Sequence, residues 1–311
     1  MSTAVVIARQ QLRLLSRSNT FLLLLVVLLG MTALSGYIGW SSHSTILKVY
    51  DETVRVLTAA GKPAPPNPFA DKPRLSLLNN MIIYVPLIGA LLAIVIGNTT
   101  VTGDRQAGVT RVIFSRPLRR SSYFWGKLGG SAVAVTAIMA ACLVSSAIGL
   151  MLINHGLLTA TEFLRLTLFY ALSGLYLLLF VLVGMVAALL TRSQSLGLFA
   201  AAAVWVLVTF ATPQFTSGLR PVASLSPVTN PVGVSHSGFF RATSKVKPIA
   251  VNEQYKALST RLLSPQEDVL RAGLGTSTKQ VAPIALFVLL LGGWASRLVK
   301  RHDFSEDAPR D

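Results

Sequence analysis

The chain has 311 residues, of which 52% are hydrophobic and 13% are charged, and its apolar residues gather into long runs. A soluble domain carries about 25% charged residues, and a helix needs roughly 20 apolar residues to cross a bilayer, so this composition argues against a soluble fold. The net charge of +16 does not indicate nucleic-acid binding, because the positive residues lie between the apolar runs without interleaved aromatic residues. We therefore predict an all-α membrane protein with no nucleic-acid partner.

The first 19 residues predict a short amphipathic helix. Arg9, Arg13 and Arg17 recur every fourth residue and therefore lie along one helical stripe. A basic stripe opposite an apolar face is typical of helices that lie in the headgroup region of a membrane. The sequence equally allows a second interpretation, in which this arm is only the positive flank of the first span. The apolar face consists of Ala4, Ala8, Leu12 and Leu15.

Six apolar runs predict six transmembrane helices within a single domain over residues 1–311. The runs cover residues 21–40, 81–98, 126–153, 163–190, 195–212 and 281–298. Gly126 and Gly130 form a small-xxx-small pair at the start of the third run, which favours a close helix contact. The stretches 41–79 and 214–280 are too polar to span a membrane, and we predict that both are extracytoplasmic loops. The fold therefore has a long loop before its last span.

The distribution of Lys and Arg predicts the orientation. The amino-terminal arm carries three of these residues, the 99–127 stretch six and the tail four, whereas residues 154–162 carry none. With six spans, the arm, the 99–127 stretch, the connector with Arg192 and the tail all lie on one side, which the positive-inside rule makes cytoplasmic. The eight Lys and Arg of 214–280 do not oppose this orientation, because long loops translocate largely regardless of charge. Both termini are therefore predicted to be cytoplasmic.

The 214–280 loop contains two helix signals. Asn252 is a candidate N-cap for the first helix. A second helix is indicated by Ser264-Pro265-Gln266-Glu267, where a capping serine precedes proline and glutamate, and Gly273 would end it. Together they predict a small helical subdomain outside the membrane, either a lid or a passive spacer. The apolar face of the first helix consists of Tyr255, Leu258 and Leu262.

The apolar runs carry no ionisable side chain in their interiors. They contain no Asp or Glu, and their Lys and Arg occur only near the ends, at Lys127, Arg165 and Arg297. Proton- or sodium-coupled carriers and intramembrane hydrolases need ionisable groups at depth, so this pattern argues against both classes. The chain also lacks a phosphate-binding GxxxxGK[ST] loop, which predicts that it neither binds nor hydrolyses ATP. Its single cysteine, Cys142, and its four scattered histidines predict no metal site and no bound cofactor.

The predicted cytoplasmic loop, residues 99–125, carries the most specific motif in the chain, which extends over residues 102–127. It contains an aspartate, then a glycine and a threonine, then Ser-Arg-Pro, and it leads through Gly-Lys into the third run. This loop resembles the first cytoplasmic loop of ABC exporter permeases of the type-2 class, from which it departs at 103–105, where Gly-Asp-Arg replaces a glutamate pair. The matching residues are Asp104, Gly108, Thr110, Ser115, Arg116, Pro117, Arg119 or Arg120, Gly126 and Lys127. The six-span layout is similar to the subset of that class that includes the permease for nitrous-oxide reductase maturation.

The resemblance implies a transport function divided among several polypeptides. It identifies the chain as a permease of the prokaryotic cytoplasmic (inner) membrane. The permease would pair with a second copy of itself or with a different permease, and an ABC ATPase subunit that binds the ATP would drive it. Membrane lipid is the other expected partner, and the chain itself is expected not to be an enzyme. Two alternatives from the residues stay open. One is a non-transporting anchor or signalling component of a membrane complex, and the other is a membrane enzyme, for which catalytic groups are lacking.

The residues before Pro117 predict how the loop engages an ATPase. Val109, Val112 and Ile113 lie at helical spacing and form a short apolar face, and Pro117 ends that helix. The basic residues that follow would face acidic residues of the ATPase or phosphate headgroups; the alternative is that they are only positive-inside charges. The predicted ATPase-coupling residues are Asp104, Arg105, Gly108, Val109, Thr110, Val112, Ile113, Arg116, Pro117, Arg119, Arg120 and Lys127.

Overall fold

The structure, a computed structural model, describes residues 3–63, 73–106, 108, 119–154, 156–191, 193–217, 249–264 and 274–301. In the last of these ranges the side chains are described for residues 281–300. This part of the chain forms helices and contains no strand, which confirms the predicted all-α class. The main helices are α1 (Thr3–Ser16), α2 (Asn19–Ala59), α3 (Met81–Gln106), α4 (Arg120–Ile153), α5 (Ala160–Leu190), α6 (Gln194–Thr216), α7 (Val251–Leu263) and α8 (Leu274–Arg301), with a short 3-10 helix, Arg74–Leu78, before α3.

Six of these helices are long and apolar enough to cross a membrane, namely α2 to α6 and α8. Each contains one of the six apolar runs, so the predicted number of spans is confirmed. The helix ends are set by capping residues in addition to the apolar runs. At the start of α5, the Thr159 hydroxyl accepts a hydrogen bond from the Glu162 amide at 3.3 Å, and the Glu162 carboxylate accepts one from the Thr159 amide at 2.8 Å. This reciprocal capping box fixes where the fourth span begins.

Helix α2 continues far beyond the apolar run that predicted it. Its 41 residues correspond to about 62 Å at 1.5 Å per residue, roughly twice the thickness of the hydrocarbon core. Its buried residues, from Leu24 to Ser35, all lie in the first half. The polar stretch after Trp40 stays helical because it contains no proline or glycine before Gly61, where φ is +70°. The first part of the predicted 41–79 loop is therefore a projecting helix.

Helix α5 lies at the centre of the molecule and contacts α3, α4, α6, α7 and α8. Its backbone touches that of α3. A Cβ atom added at Gly97 would lie 2.0 Å from the Val181 carbonyl oxygen, and one added at Gly184 would lie 2.3 Å from the Ile94 carbonyl oxygen. Only glycine permits such an approach, which gives the two helices a large packing contact in a setting where the hydrophobic effect does not drive association.

Helix α1 packs against the beginning of α4. A Cβ atom at Gly126 would lie 2.7 Å from Ile7 Cβ, and one at Gly130 would lie 2.7 Å from the Ala8 carbonyl oxygen. The small-xxx-small pair therefore makes a close helix contact, as predicted, and its partner is the amino-terminal helix. Leu15 is buried on the apolar face of α1, whereas Arg9 and Arg13, and Arg17 just after the helix, are exposed, so the amphipathic character is confirmed. Its position in the headgroup region stays a prediction.

Helix α7 lies in the 214–280 segment and packs against α3, α5, α6 and α8. Tyr255 and Leu258 are buried and Leu262 is half-buried, so the predicted helix and its apolar face are present. The segment is thus packed against the spans at this point. The second predicted helix, which starts at Ser264, falls on residues outside the described part of the chain.

The predicted cap of α7 is wrong. The helix begins after Ala250, and Asn252 lies within its first turn with its side chain fully buried. Asn252 Nδ2 donates to the Thr209 carbonyl at 3.1 Å, and Asn252 Oδ1 accepts from the Tyr176 hydroxyl at 3.4 Å. The amide therefore satisfies partners on α5 and α6, and this tertiary environment overrides its local preference for a cap.

Candidate functional site

Half of the predicted ATPase-coupling residues lie in the described part of the chain. These are Asp104, Arg105, Gly108, Arg119, Arg120 and Lys127. They mark the two ends of the loop, where it leaves α3 and enters α4. The others, Val109, Thr110, Val112, Ile113, Arg116 and Pro117, lie outside the described residues, so their roles stay predictions.

A buried ion pair joins the two ends of the loop. Lys127 Nζ lies 2.7 Å from Asp104 Oδ2, and the two side chains are 7% and 14% exposed. The same carboxylate oxygen accepts a hydrogen bond from the Tyr123 hydroxyl at 2.6 Å, and the ammonium group lies 5.7 Å from the centre of the Tyr123 ring. Lys127 was predicted to face a partner or lipid headgroups, but its charge is used inside the chain.

Gln11 of α1 connects this pair to the spans. Its side-chain carbonyl accepts from Lys127 Nζ at 2.8 Å, and its amide nitrogen donates to Thr100 Oγ1 at 3.1 Å. The Thr100 hydroxyl donates to the Ile96 carbonyl at 2.7 Å, and Ser131 Oγ lies 3.4 Å from Thr100 Oγ1. Three helices, α1, α3 and α4, are thereby joined. We call Gln11, Thr100, Asp104, Tyr123, Lys127 and Ser131 the polar cluster.

Four members of the polar cluster were not predicted from the sequence, and only Gln11 leaves a signal there. It lies between Ala8 and Leu15 on the apolar face of α1, and it is 3% exposed. A polar residue inside an apolar stripe is expected to have a buried partner. Thr100 and Ser131 leave no such signal, because hydroxyls in membrane helices usually bond to their own backbone.

Arg105 is also turned into the protein. It is 8% exposed, and its Nη1 donates to the carbonyls of Ala188 at 2.7 Å and Thr191 at 3.1 Å. The last carbonyls of a helix have no partner within it and carry partial negative charge, so a cation there is stabilising. Arg105 thus caps the end of α5, a role that the sequence did not indicate.

The remaining described residues of the loop bring the basic segments together. Arg120 Nη1 donates to the Lys300 carbonyl at 3.2 Å and links α4 to the end of α8, while Arg119 is exposed. Gly108 follows the end of α3 with a φ of +64°, a conformation that favours glycine, and its amide donates to the Arg105 carbonyl at 3.1 Å. The arm, the loop ends, the α5–α6 connector and the end of α8 therefore meet at one end of the molecule. We call it the basic end, defined by Arg105, Arg119, Arg120, Lys127 and Lys300.

The charged side chains of the basic end hold helices in position. Its buried charges are paired with each other or with backbone carbonyls, so each of them fixes the relation between two helices. Among the residues that the structure describes, no three His, Cys, Asp or Glu side chains come close enough to hold a metal ion. What the polar cluster offers is a rigid connection between the loop and three helices.

One family model matches the sequence over nearly its whole length. Its description is "ABC-2 family transporter protein", and it matches residues 5–294, which include most of α1 and the first five spans in full. The match also covers the loop between α3 and α4 and most of α8. No curated protein matches the chain.

Proposed function

The chain belongs to the ABC-2 transporter family, and we propose that it is the permease subunit of an exporter powered by a separate ABC ATPase that docks at the basic end. Because it belongs to this family, the chain is a membrane component of an ABC transporter. The ATPase partner, the export direction and the docking face are what we propose. The observation that carries it is the polar cluster, because it ties α1 and both ends of the 107–118 loop into one unit at an end of the molecule.

The polar cluster supports a mechanical role for the loop. A force on residues 107–118 acts on α3 near Asp104 and on α4 near Lys127, and the ion pair makes these two points move together. Gln11 transfers the movement to α1, and the backbone contact at Gly97 transfers it from α3 to α5. Packed interiors resist gradual deformation and shift between discrete arrangements, so a movement of the loop reaches the spans.

The proposal includes the assembly and its location. Six spans without an internal repeat provide half of a pathway, so two permease chains, identical or paralogous, act with two ATPase subunits that bind the ATP. The complex lies in the cytoplasmic membrane of a prokaryote, with the basic end and both termini in the cytoplasm, because the positive-inside rule places the basic segments there. The permease itself carries out no chemistry.

Co-purification of the ATPase tests the docking face. Val112→Asp places a charge in the apolar face that we predict contacts the ATPase. An unpaired buried charge is strongly destabilising, whereas the loss of one exposed ion pair costs roughly 0–1 kcal/mol. We therefore expect Val112→Asp to lose the ATPase and Arg119→Ala to retain most of it, at matched membrane expression.

Leu157→Asp is the matched control for this experiment. Leu157 is 81% exposed and lies between α4 and α5, at the end of the molecule opposite to the basic end. The same substitution there should leave the ATPase bound. If Val112→Asp also retains the ATPase and full transport, the loop is only a basic tether and the docking face lies elsewhere.

A further inference from the structure

The outward face of α1 carries arginines that the polar cluster does not use. Arg9 and Arg13, together with Arg17 just after the helix, are exposed and recur every fourth residue, so they lie along one stripe. The opposite face of α1 packs closely on the start of α4 through Ile7 and Ala8. These three arginines, which we call the arginine stripe, therefore point away from the bundle of spans.

The arginine stripe has no protein partner among the residues that the structure describes. None of its side chains takes part in a hydrogen bond or an ion pair there, whereas Lys127 and Arg105 are both bonded within the chain. Helix α1 itself contains no Asp or Glu. Cations four residues apart on a helix are separated by about 6 Å along its axis, so they repel one another. An anion bound between them relieves this repulsion.

The depth of the arginine stripe matches the headgroup layer of a membrane. Gln11 of the same helix bonds to Thr100, which lies two residues beyond the apolar run of α3. Arg17 lies four residues before Phe21, where the first apolar run begins. Four helical residues rise about 6 Å, and the headgroup layer is about 5–8 Å deep on each side of the hydrocarbon. When α2 and α3 span the membrane, the stripe is therefore at the level of the lipid phosphates.

This depth and charge separate a lipid from the other possible occupants. A soluble subunit would have to enter the headgroup layer to reach Arg17. A second copy in a two-fold contact would bring an identical row of cations against the first, which like-charge repulsion opposes. Val5 and Leu14 flank the stripe and are 49% and 54% exposed. Exposed apolar side chains beside a basic stripe are typical of a helix at the surface of an anionic membrane.

We propose that the arginine stripe binds the phosphate headgroups of anionic phospholipids, such as phosphatidylglycerol, in the leaflet at the basic end. Three guanidinium groups favour a headgroup with a net negative charge over phosphatidylcholine, whose phosphate is offset by its own cation. Bound headgroups hold α1 against α4 and thereby keep Gln11 in the polar cluster. This lipid site does not depend on the ATPase of the proposed function, so either can fail without the other.

Hydrogen–deuterium exchange tests the lipid site. The full chain is compared in nanodiscs of phosphatidylglycerol and in nanodiscs of phosphatidylcholine, without an ATPase. We expect the amides of α1 to exchange several-fold more slowly in phosphatidylglycerol, because bound headgroups hold the helix on α4. In a chain with Arg9→Gln, Arg13→Gln and Arg17→Gln together, α1 should exchange at the same rate in both lipids.

A second triple variant is the matched control. Lys48→Gln, Arg55→Gln and Lys62→Gln remove the same charge from exposed positions on the projecting half of α2 and just after it. This chain should keep the response of the parent. Lysine in place of the three arginines of the stripe keeps the charge and should keep most of the response, which shows that the glutamine variant does not fail through misfolding. Inorganic phosphate added to phosphatidylcholine discs should not slow the exchange.

Three results would overturn the proposal. The first is equal exchange of α1 in both lipids for the parent chain. The second is an equal loss of the response in the two triple glutamine variants, which would make it an effect of net charge alone. The third is a stripe variant that keeps the lipid response but loses a co-purifying ATPase, because the stripe would then bind protein.

Discussion

The Lys127 side chain shows how a single charge connects helices at the basic end. Two of its three donors reach the Asp104 carboxylate and the Gln11 carbonyl, and the same carboxylate binds the Tyr123 hydroxyl. A buried ion pair stabilises a fold little more than apolar residues of similar volume would. Removing only one partner, however, leaves an uncompensated buried charge. The sequence predicted on which side such charges lie, yet it gave no indication that Lys127 points inward, because that depends on Gln11 from a distant helix.

Removing only one member of this pair should be much worse than removing both. We expect Lys127→Met to lower the free energy of unfolding by about 3–5 kcal/mol, because the Asp104 carboxylate stays buried without its cation. Adding Asp104→Leu should restore most of that loss. Thermal unfolding in nanodiscs, arranged as a double-mutant cycle with exposed Arg119→Met as the control, measures this coupling. A Lys127→Met chain as stable as its parent would show that the pair is solvated.

Lys256 predicts a pH dependence of stability. It is 9% exposed on α7, and burial lowers the pKa of its ammonium group below the usual 10.5, partly opposed by the Glu253 carboxylate. Between the lowered folded pKa and 10.5, the unfolded chain binds more protons, so stability increases as the pH rises through this window. In Lys256→Met this contribution is absent, and its Tm should rise less with pH than that of the parent chain. Lys62→Met, at an exposed position, is the control and should follow the parent.

Two spans contain π-helical turns whose carbonyls bind neighbouring side chains. In α3 the turn Val85–Gly89 contains Pro86, whose carbonyl accepts from Trp205 Nε1 at 2.8 Å. In α6 the turn Leu207–Ala211 contains Thr209, whose carbonyl accepts from Asn252. Proline removes a helical donor, so the first irregularity has a signal in the sequence. The second has none, because it depends on α7 packing against α6.

The contact between α3 and α5 can be tested with two glycines of one helix. Gly97→Ala places a methyl group 2.0 Å from the Val181 carbonyl oxygen, whereas a Cβ atom at Gly103 meets nothing within 4 Å. Alanine favours a helix by up to about 1 kcal/mol over glycine, but overpacking costs about 1–3 kcal/mol. We therefore expect Gly97→Ala to lower the unfolding temperature and Gly103→Ala to maintain or raise it. Equal effects of the two changes would contradict the backbone contact.

Charge and hydropathy predict the number of spans and the grouping of the basic segments better than they predict individual contacts. The runs of apolar residues predicted six spans because crossing hydrocarbon imposes a length. The basic segments meet at one end, as the positive-inside rule predicts for segments on one side. The apolar groove between α6 and α8 had no signal in the sequence, because it arises from the separation of α6 and α8 on α5. The burial of α7 likewise depends on its fit between spans.

The side of the membrane on which the basic end lies is still a prediction, and two exposed positions can test it. Arg119 lies at the basic end, and Leu157 lies beyond the opposite end of α4, in its link to α5. In a Cys142→Ala background, the single variants Arg119→Cys and Leu157→Cys are treated with a membrane-impermeant maleimide in intact cells and in opened membranes. We expect position 157 to react in intact cells and position 119 to react only after opening, because the positive-inside rule keeps the basic segments in the cytoplasm. Labelling of position 119 from outside would reverse the orientation and, with it, the proposed docking of an ATPase at this end.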